Sequence, residues 1–128
     1  MKLSGSPVVL LVDDEPLVRM LASEILTDCG AVVLEAGNAD EALRILKQRD
    51  DIVLVFSDVN MPGTMDGLAL LQRVHELKPM VELILTSGRG EYALTKLPDD
   101  GTFLPKPYKA FKLGGMVTEK LEGRPVEP

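Results

Sequence analysis

The sequence predicts a single α/β domain in which helices cover both faces of a parallel sheet. Short uninterrupted apolar runs, the pattern of strands that are buried on both faces, alternate with segments whose apolar residues recur at helical spacing. This alternation favours a parallel sheet between two helical layers. The chain has 128 residues, the length of one domain, and 45% of them are apolar, which is enough for a substantial core.

The first predicted unit is a strand followed by a helix. The strand is the apolar run 8–12, which stops at three consecutive acids. The helix begins at Pro16, a residue that the first helical turn tolerates. Leu17, Leu21 and Ile25 then recur at helical spacing until a glycine ends the pattern.

The second and third units repeat this order. Residues 31–36 predict a second strand, and Asn38 with Glu41 three positions later resembles a capping box that begins the second helix. The third strand is the run 52–56, and it also leads to a carboxylate, Asp58.

A Pro-Gly pair predicts a loop after the third strand. The third helix then carries apolar residues at helical spacing and stops before Pro79; these residues are Leu70, Leu71, Val74 and Leu77. Residues 81–85 predict the fourth strand.

The region between the fourth and fifth strands fits the pattern less well. Gly88, Gly90 and Pro98 leave only residues 91–97 for a helix, so we expect the fourth helix to be short or irregular. The fifth strand is the brief run 102–104.

The end of the chain predicts an edge strand, a last helix and a tail. Pro105 lacks a ladder donor, which is tolerated mainly on an edge strand, so we expect the fifth strand at an edge. Apolar residues from Tyr108 onward predict the last helix. We expect one domain over residues 1–128, with a core at about 7–121 and a flexible tail at 122–128.

Charge and composition disfavour several classes of protein. Fourteen basic against twenty acidic residues give a net charge of −6, which opposes binding to a phosphate backbone. The longest early apolar run, 8–12, is too short for a signal peptide or a membrane span. The single cysteine, Cys29, cannot form an internal disulfide, which fits a reducing compartment. We therefore expect a soluble cytoplasmic protein that binds neither nucleic acid nor membranes.

Polar side chains follow four of the five predicted strands. Asp13 and Asp14 follow the first strand, Asp58 the third, Thr86 the fourth and Lys106 the fifth. Each of them alone has an ordinary structural explanation, such as a helix cap, a turn or a solvated lysine. Ligands of open parallel sheets bind beyond the carboxyl ends of the strands. The placement of all five polar side chains at that rim therefore indicates a functional site.

Three converging carboxylates repel one another, so the site demands a cation unless one acid is protonated. An oxygen-only ligand set favours Mg²⁺, which retains waters and leaves positions for a phosphate oxygen. Thr86 and Lys106 beside the ion would stabilise the oxygens of a phosphoryl group in transfer. The nucleophile would be a carboxylate that forms an acyl phosphate.

Four segments of the chain carry a family resemblance. They are Val12-Asp13-Asp14-Glu15, Asp58-Val59-Asn60-Met61-Pro62, Thr86-Ser87-Gly88 and Lys106-Pro107-Tyr108. In this order and spacing, the chain resembles a bacterial response-regulator receiver domain over nearly its full length. The resemblance implies a flavodoxin-like (βα)5 three-layer sandwich with strand order 2-1-3-4-5.

The resemblance also implies a role for each acid. Asp58 would be the phosphoacceptor. Asp14, Asp58 and the main-chain carbonyl of Asn60 would hold Mg²⁺, and Asp13 would act through water.

Further roles follow from the same resemblance for the fourth and fifth strands. Thr86 and Lys106 would contact the phosphoryl group, and the Lys106–Pro107 peptide bond would be cis. Thr86 and Phe103 would form the switch that responds to phosphorylation.

The implied function is that of a stand-alone receiver. It would accept a phosphoryl group from a histidine kinase or a histidine phosphotransfer protein. It would then change its surface for a downstream partner or act as a phosphate sink. Such a domain is a phosphoacceptor that phosphorylates and dephosphorylates itself, and not an enzyme with a separate substrate.

Three departures from the family pattern stand out. The pair Gly63-Thr64 makes the loop after Asp58 one residue longer than the commonest pattern. The weak fourth helix lies in the surface that usually signals. Gly88, two residues after Thr86, leaves the rim without a side chain there.

Three other functions remain open. A Mg²⁺-dependent aspartyl phosphatase usually needs a second acid two residues after its nucleophile, where this chain has Asn60. A flavodoxin-like module that only binds would not need the complete set of site groups. A receiver excised from a hybrid histidine kinase would share all of them.

Overall fold

A computed structural model describes residues 3–63, 65–88, 97–98 and 101–122 of the chain. In these residues the strands and helices are β1 (Val8–Val12), α1 (Pro16–Asp28), β2 (Val32–Ala36), α2 (Ala39–Gln48), β3 (Ile52–Asp58), α3 (Gly67–Leu77), β4 (Glu82–Ser87), β5 (Thr102–Pro105) and α4 (Ala110–Glu122). The predicted alternation of strands and helices is confirmed. No helix among the described residues is both long and apolar enough to cross a membrane.

The five strands form one parallel sheet in the order β2-β1-β3-β4-β5. This confirms the order implied by the resemblance and the prediction that the fifth strand lies at an edge. Because all strands run the same way, their carboxyl ends meet at one rim of the sheet.

Two apolar layers hold the helices against the sheet. Side chains of β1 alternate between them: Leu10 and Val12 face the layer shared with α2 and α3, whereas Val9 and Leu11 face the layer shared with α1 and α4. Phe56 is the largest fully buried side chain of the second layer. The three-layer architecture is therefore confirmed.

Several predicted boundaries shift by a few residues. β2 begins at Val32, β3 continues to Asp58, and α4 begins at Ala110. Glu122, where the predicted tail begins, still belongs to α4, and its carboxylate accepts a hydrogen bond from the main-chain nitrogen of Ser4.

Two predictions concern residues that the structure does not describe. The short fourth helix was expected at residues 91–97, of which 91–96 lie outside the described residues. The rest of the predicted tail, 123–128, also lies outside them.

The first turns of α1 expose three large apolar side chains. Leu17 and Leu21, whose spacing predicted this helix, are 71% and 58% exposed, and Met20 is 48% exposed. The helix packs instead through Ala22 and Leu26, which are buried. The hydrophobic spacing therefore predicts the helix correctly, but of the three spaced residues only Ile25 packs against the core.

Side-chain caps fix the starts of two helices. Asn38 accepts a hydrogen bond from the main-chain nitrogen of Glu41 at 2.8 Å, as predicted, whereas the Glu41 carboxylate bonds the nitrogen of Gly37 instead of that of Asn38. Asp66 caps α3 by accepting a bond from the nitrogen of Ala69 at 2.9 Å. The start of α3 is thereby fixed next to the end of β3.

Candidate functional site

A cleft of about 490 Å³ opens at the carboxyl ends of the strands. It is lined by Asp14, Glu15, Asp58, Asn60, Met61, Asp66, Gly88 and Lys106. These residues come from the loops and strand ends that follow β1, β3, β4 and β5. Strand ends that are distant in the sequence therefore contribute to one cleft.

Three acids converge at this cleft. Asp13, Asp14 and Asp58 each offer a carboxylate oxygen, and these oxygens lie within 4.8 Å of one another. Asp13 and Asp58 are buried, whereas Asp14 is exposed. The structure thus brings together the three acids that the sequence placed at strand ends.

The three neighbouring carboxylates favour a positive charge in the cleft. Burial raises the pKa of the Asp13 carboxyl above its usual value, and the charges of Asp58 and Asp14 act in the same direction. A hydrogen bond from the nitrogen of Glu15 and the charge of Lys106 oppose this increase. The net increase indicates that the ionised acid is less stable here than in water.

Lys106 supplies a cation from β5's side of the cleft. Its Nζ lies 2.9 Å from Oδ2 of Asp58 and 3.9 Å from Oδ2 of Asp13. Its main-chain nitrogen donates to the oxygen of Ser87 at 3.0 Å. The Lys106–Pro107 peptide bond is cis, as the resemblance implied.

The hydroxyl of Thr86 is bonded to the neighbouring strand. Thr86 is buried, and its Oγ1 donates to the main-chain oxygen of Leu104 on β5 at 2.7 Å. Phe103, beside Leu104, is partly buried and packs against the apolar layer shared with α2 and α3. The two predicted switch residues therefore lie on neighbouring strands, and the hydroxyl is engaged with β5.

Asn60 lies at the mouth of the cleft. It is exposed, and its main-chain nitrogen donates to Oδ1 of Asp58 at 3.4 Å, near the limit for such a bond. Its main chain is therefore close to the Asp58 carboxylate, as a metal ligand at this position requires.

Two residues near the acids were given no site role from the sequence. Tyr108 packs edge-on against Phe56, with ring centroids 6.0 Å apart. Burial, together with the charges of Asp13 and Asp58, raises the pKa of Tyr108 to about 12. Arg19 donates from Nη1 to the main-chain oxygen of Asp13 at 2.7 Å and from Nε to Glu35 at 2.9 Å. A bond to a main-chain oxygen has no sequence signature, so the sequence does not indicate this contact of Arg19.

The donor set fits Mg²⁺. The three acids offer oxygens only, and two of them are buried with one lysine close by. Hard oxygen ligands at this spacing suit Mg²⁺ better than a metal that prefers nitrogen or sulfur. A site with few protein ligands leaves room for water and for a phosphoryl oxygen.

Comparison with known proteins identifies relatives of one kind. The family profile "Response regulator receiver domain" matches residues 9–117. The "Sensor kinase CckA" of Brucella abortus is 42% identical over 124 residues, which cover 94% of this chain and 13% of that protein. The chain therefore spans a small part of this relative.

Solved structures share the fold. A response regulator receiver protein from Sinorhizobium medicae superposes with a TM-score of 0.84 at 27% identity, covering 94% of this chain and 98% of the other. The CheX–CheY–BeF3–Mg²⁺ complex from Borrelia burgdorferi gives a TM-score of 0.78 at 27% identity, covering 89% and 88%.

Proposed function

This chain belongs to the response regulator receiver domain family, and we propose that it accepts a phosphoryl group onto Asp58 in a Mg²⁺-dependent reaction. The donor is a histidine kinase or a histidine phosphotransfer protein. The observation that carries this proposal is the convergence of three carboxylates within 4.8 Å, with Lys106 held 2.9 Å from Asp58.

The reaction moves the phosphoryl group from a histidine nitrogen to a carboxylate oxygen. The Asp58 carboxylate attacks phosphorus, the new P–O bond forms as the P–N bond breaks, and the electron pair of that bond returns to the imidazole. Asp14, Asp58 and the main-chain carbonyl of Asn60 would hold Mg²⁺, and Asp13 would act through a water. The bound ion would neutralise charge on the phosphoryl oxygens.

Lys106 and Thr86 respond to the transferred group. Lys106 exchanges its ion pair with Asp58 for one with a phosphoryl oxygen, because the acyl phosphate now carries the negative charge there. Thr86 exchanges its bond to Leu104 for a bond to another phosphoryl oxygen. The loss of the Thr86–Leu104 bond loosens β4 from β5, and Phe103 next to Leu104 transmits the change to the surface.

We also propose that the domain works in the cytoplasm as a stand-alone receiver, either signalling to a protein partner or acting as a phosphate sink. The net charge of −6 supports a protein partner over nucleic acid. A receiver segment of a hybrid kinase is the second candidate, favoured by the 42% identity to CckA of Brucella abortus. The two candidates share the chemistry of the site and differ in the length of the whole protein.

An aspartyl phosphatase is disfavoured by the residue two positions after Asp58. This residue is Asn60, whose amide cannot act as the second acid of such enzymes.

Amide spectra of the domain test the proposed site. Mg²⁺ alone should shift signals of the loops after β1 and β3, and added beryllofluoride, a phosphoryl mimic, should extend the shifts to β4 and β5. The variant Asp14→Asn should lose the response to Mg²⁺ because one of the converging carboxylates is gone. Glu15→Gln, which lines the same cleft outside the acid trio, is the matched control. Spectra of the unmodified domain that respond to neither reagent would refute the proposal.

The exposed face of α1 suits the surface that meets the phosphodonor protein. A phosphohistidine must reach Asp58, so the donor has to cover the surface around the cleft. α1 begins directly after the acidic loop, and Leu17, Met20 and Leu21 present an apolar surface there. Phe111 is 74% exposed at the start of α4, the helix that packs beside α1. We propose that an apolar helix of the donor docks on this face.

Loss of two leucines should slow transfer from a donor protein but not from a small phosphodonor. The double variant Leu17→Ala/Leu21→Ala should accept phosphate from a phosphorylated histidine phosphotransfer protein at least about tenfold more slowly, since truncated interface anchors typically cost more than 1 kcal/mol each. Its labelling by acetyl phosphate should be unchanged. Met80→Ala, which removes an 83% exposed side chain just before β4, is the matched control. Equal slowing with both donors would exclude a docking role for α1.

A further inference from the structure

Two small residues, Ser57 and Gly67, enclose the main-chain carbonyl of Asp58. Neither of them lines the cleft, and both are buried. Ser57 is the preceding residue of β3, and Gly67 is the first residue of α3. The carbonyl group of Asp58 thus lies between a strand residue and the start of a helix.

Ser57 bonds this carbonyl directly. Its side chain is fully buried, and Oγ donates to the main-chain oxygen of Asp58 at 2.9 Å. A buried hydroxyl without a partner is costly, so this bond fixes both the serine rotamer and the carbonyl that it contacts.

Gly67 approaches the same carbonyl from α3. A Cβ built on Gly67 would lie 2.7 Å from the carbonyl carbon of Asp58 and 2.9 Å from Cα of Val59, and closer still to the Asp58 oxygen. All three atoms belong to the main chain and cannot rotate away. The Gly67 nitrogen also donates to the oxygen of Val59 at 2.8 Å, which holds α3 against this loop.

Gly67 is needed because there is no space for a Cβ atom at this position. Its backbone conformation does not require glycine. The glycines with positive φ among the described residues are Gly5, Gly30 and Gly63, so Gly67 has a backbone that alanine can also adopt. Alanine is moreover the better helix former. Any loss of function on substitution by alanine therefore comes from the contact with Asp58 and Val59.

We infer that Gly67 is a positioning residue for the phosphoacceptor, acting with Ser57 through the main chain of residues 58–60. This inference rests on the proposed function, because Asp58 provides the nucleophile and Asn60 a carbonyl ligand. Displacement of this short segment would move both groups relative to Asp14 and Lys106. A misplacement of about 1 Å at a reacting group can cost about 10²-fold in rate.

The variant Gly67→Ala tests this role. We expect it to be labelled by acetyl phosphate about 10²-fold more slowly than the unmodified domain. We also expect weaker Mg²⁺ binding by calorimetry and a shifted ¹³C carbonyl signal of Asp58 in the absence of Mg²⁺. Its circular dichroism spectrum should be retained. Gly115→Ala, at a helical glycine of α4 whose added Cβ would meet nothing within 4 Å, is the matched control and should change none of these quantities.

The outcomes separate this inference from the proposed function. If the unmodified domain is not labelled, the proposed function fails and the positioning role fails with it. If the unmodified domain is labelled and Gly67→Ala is labelled at the same rate, with the same Asp58 carbonyl signal, only the positioning role is overturned.

Ser57→Ala keeps the inference testable if Gly67→Ala does not fold. It removes one hydroxyl without adding any atom. Slower labelling and a shifted Asp58 carbonyl signal at an unchanged unfolding midpoint would support the positioning role. Labelling and carbonyl signal equal to those of the unmodified domain would overturn it.

Discussion

Replacement of Asp58 by asparagine is expected to reduce labelling by acetyl phosphate and Mg²⁺ to background. An amide has no anionic oxygen to attack phosphorus, so the acyl phosphate cannot form. The fold should be retained, because the change removes one of three mutually repelling charges from the cleft and leaves an oxygen that accepts a bond from Lys106. Mass spectrometry of the intact protein measures the added phosphoryl group.

Asp66→Asn is the matched control for this variant. Asp66 lines the same cleft, but its carboxylate caps α3, and asparagine caps helices equally well. Labelling of this control should match that of the unmodified domain. A phosphoryl group found on another residue of Asp58→Asn would assign the site elsewhere.

Replacement of Lys106 by alanine is expected to slow labelling by about 10²-fold, the typical cost of removing one fixed group that stabilises developing charge. It should also weaken the coupling between the site and β5. In the unmodified domain we expect beryllofluoride and Mg²⁺ to shift amide signals of β4 and β5. In Lys106→Ala the shifts of β5 should be smaller, because the link from the phosphoryl group to β5 through Lys106 is missing and only the link through Thr86 and Leu104 is left.

Lys109→Ala separates this effect from a general loss of charge. Lys109 is exposed and lies three residues after Lys106, just before α4. Its removal should leave both labelling and amide shifts unchanged. If Lys106→Ala gave the full β5 response, Lys106 would have no part in the switch.

The sequence predicts the sheet more completely than the helical faces. Apolar runs mark every strand, and Pro105 marks the edge because a proline cannot donate to a neighbouring strand. Helical spacing, by contrast, indicates only that a stretch is helical. In α1 the side that packs carries Ala22, a weak hydrophobic signal, while Leu17 and Leu21 face solvent.

The acids of the site were predicted from their positions at strand ends, but the supporting contacts were not. Alternation of strands and helices places Asp13, Asp14 and Asp58 at one rim. Their separate roles come from the family resemblance and remain predictions. Arg19 acts on a main-chain oxygen, and such a contact leaves no pattern in the sequence.

Gly67 did carry a signal that could have been used. A glycine within a predicted helical segment is less favourable than alanine, and one reason for its presence is a close approach of another part of the chain. The structure supplies the partner that the sequence cannot name, the carbonyl group of Asp58.

The short outermost strand β5 also limits unwanted association. It has four residues and ends at Pro105, so it offers a second molecule few free donors for strand addition. At the opposite border of the sheet, β2 carries the charged Glu35, paired with Arg19. Both borders thus resist edge-to-edge pairing with a strand of another molecule, so contacts with other proteins are expected to form through the helices.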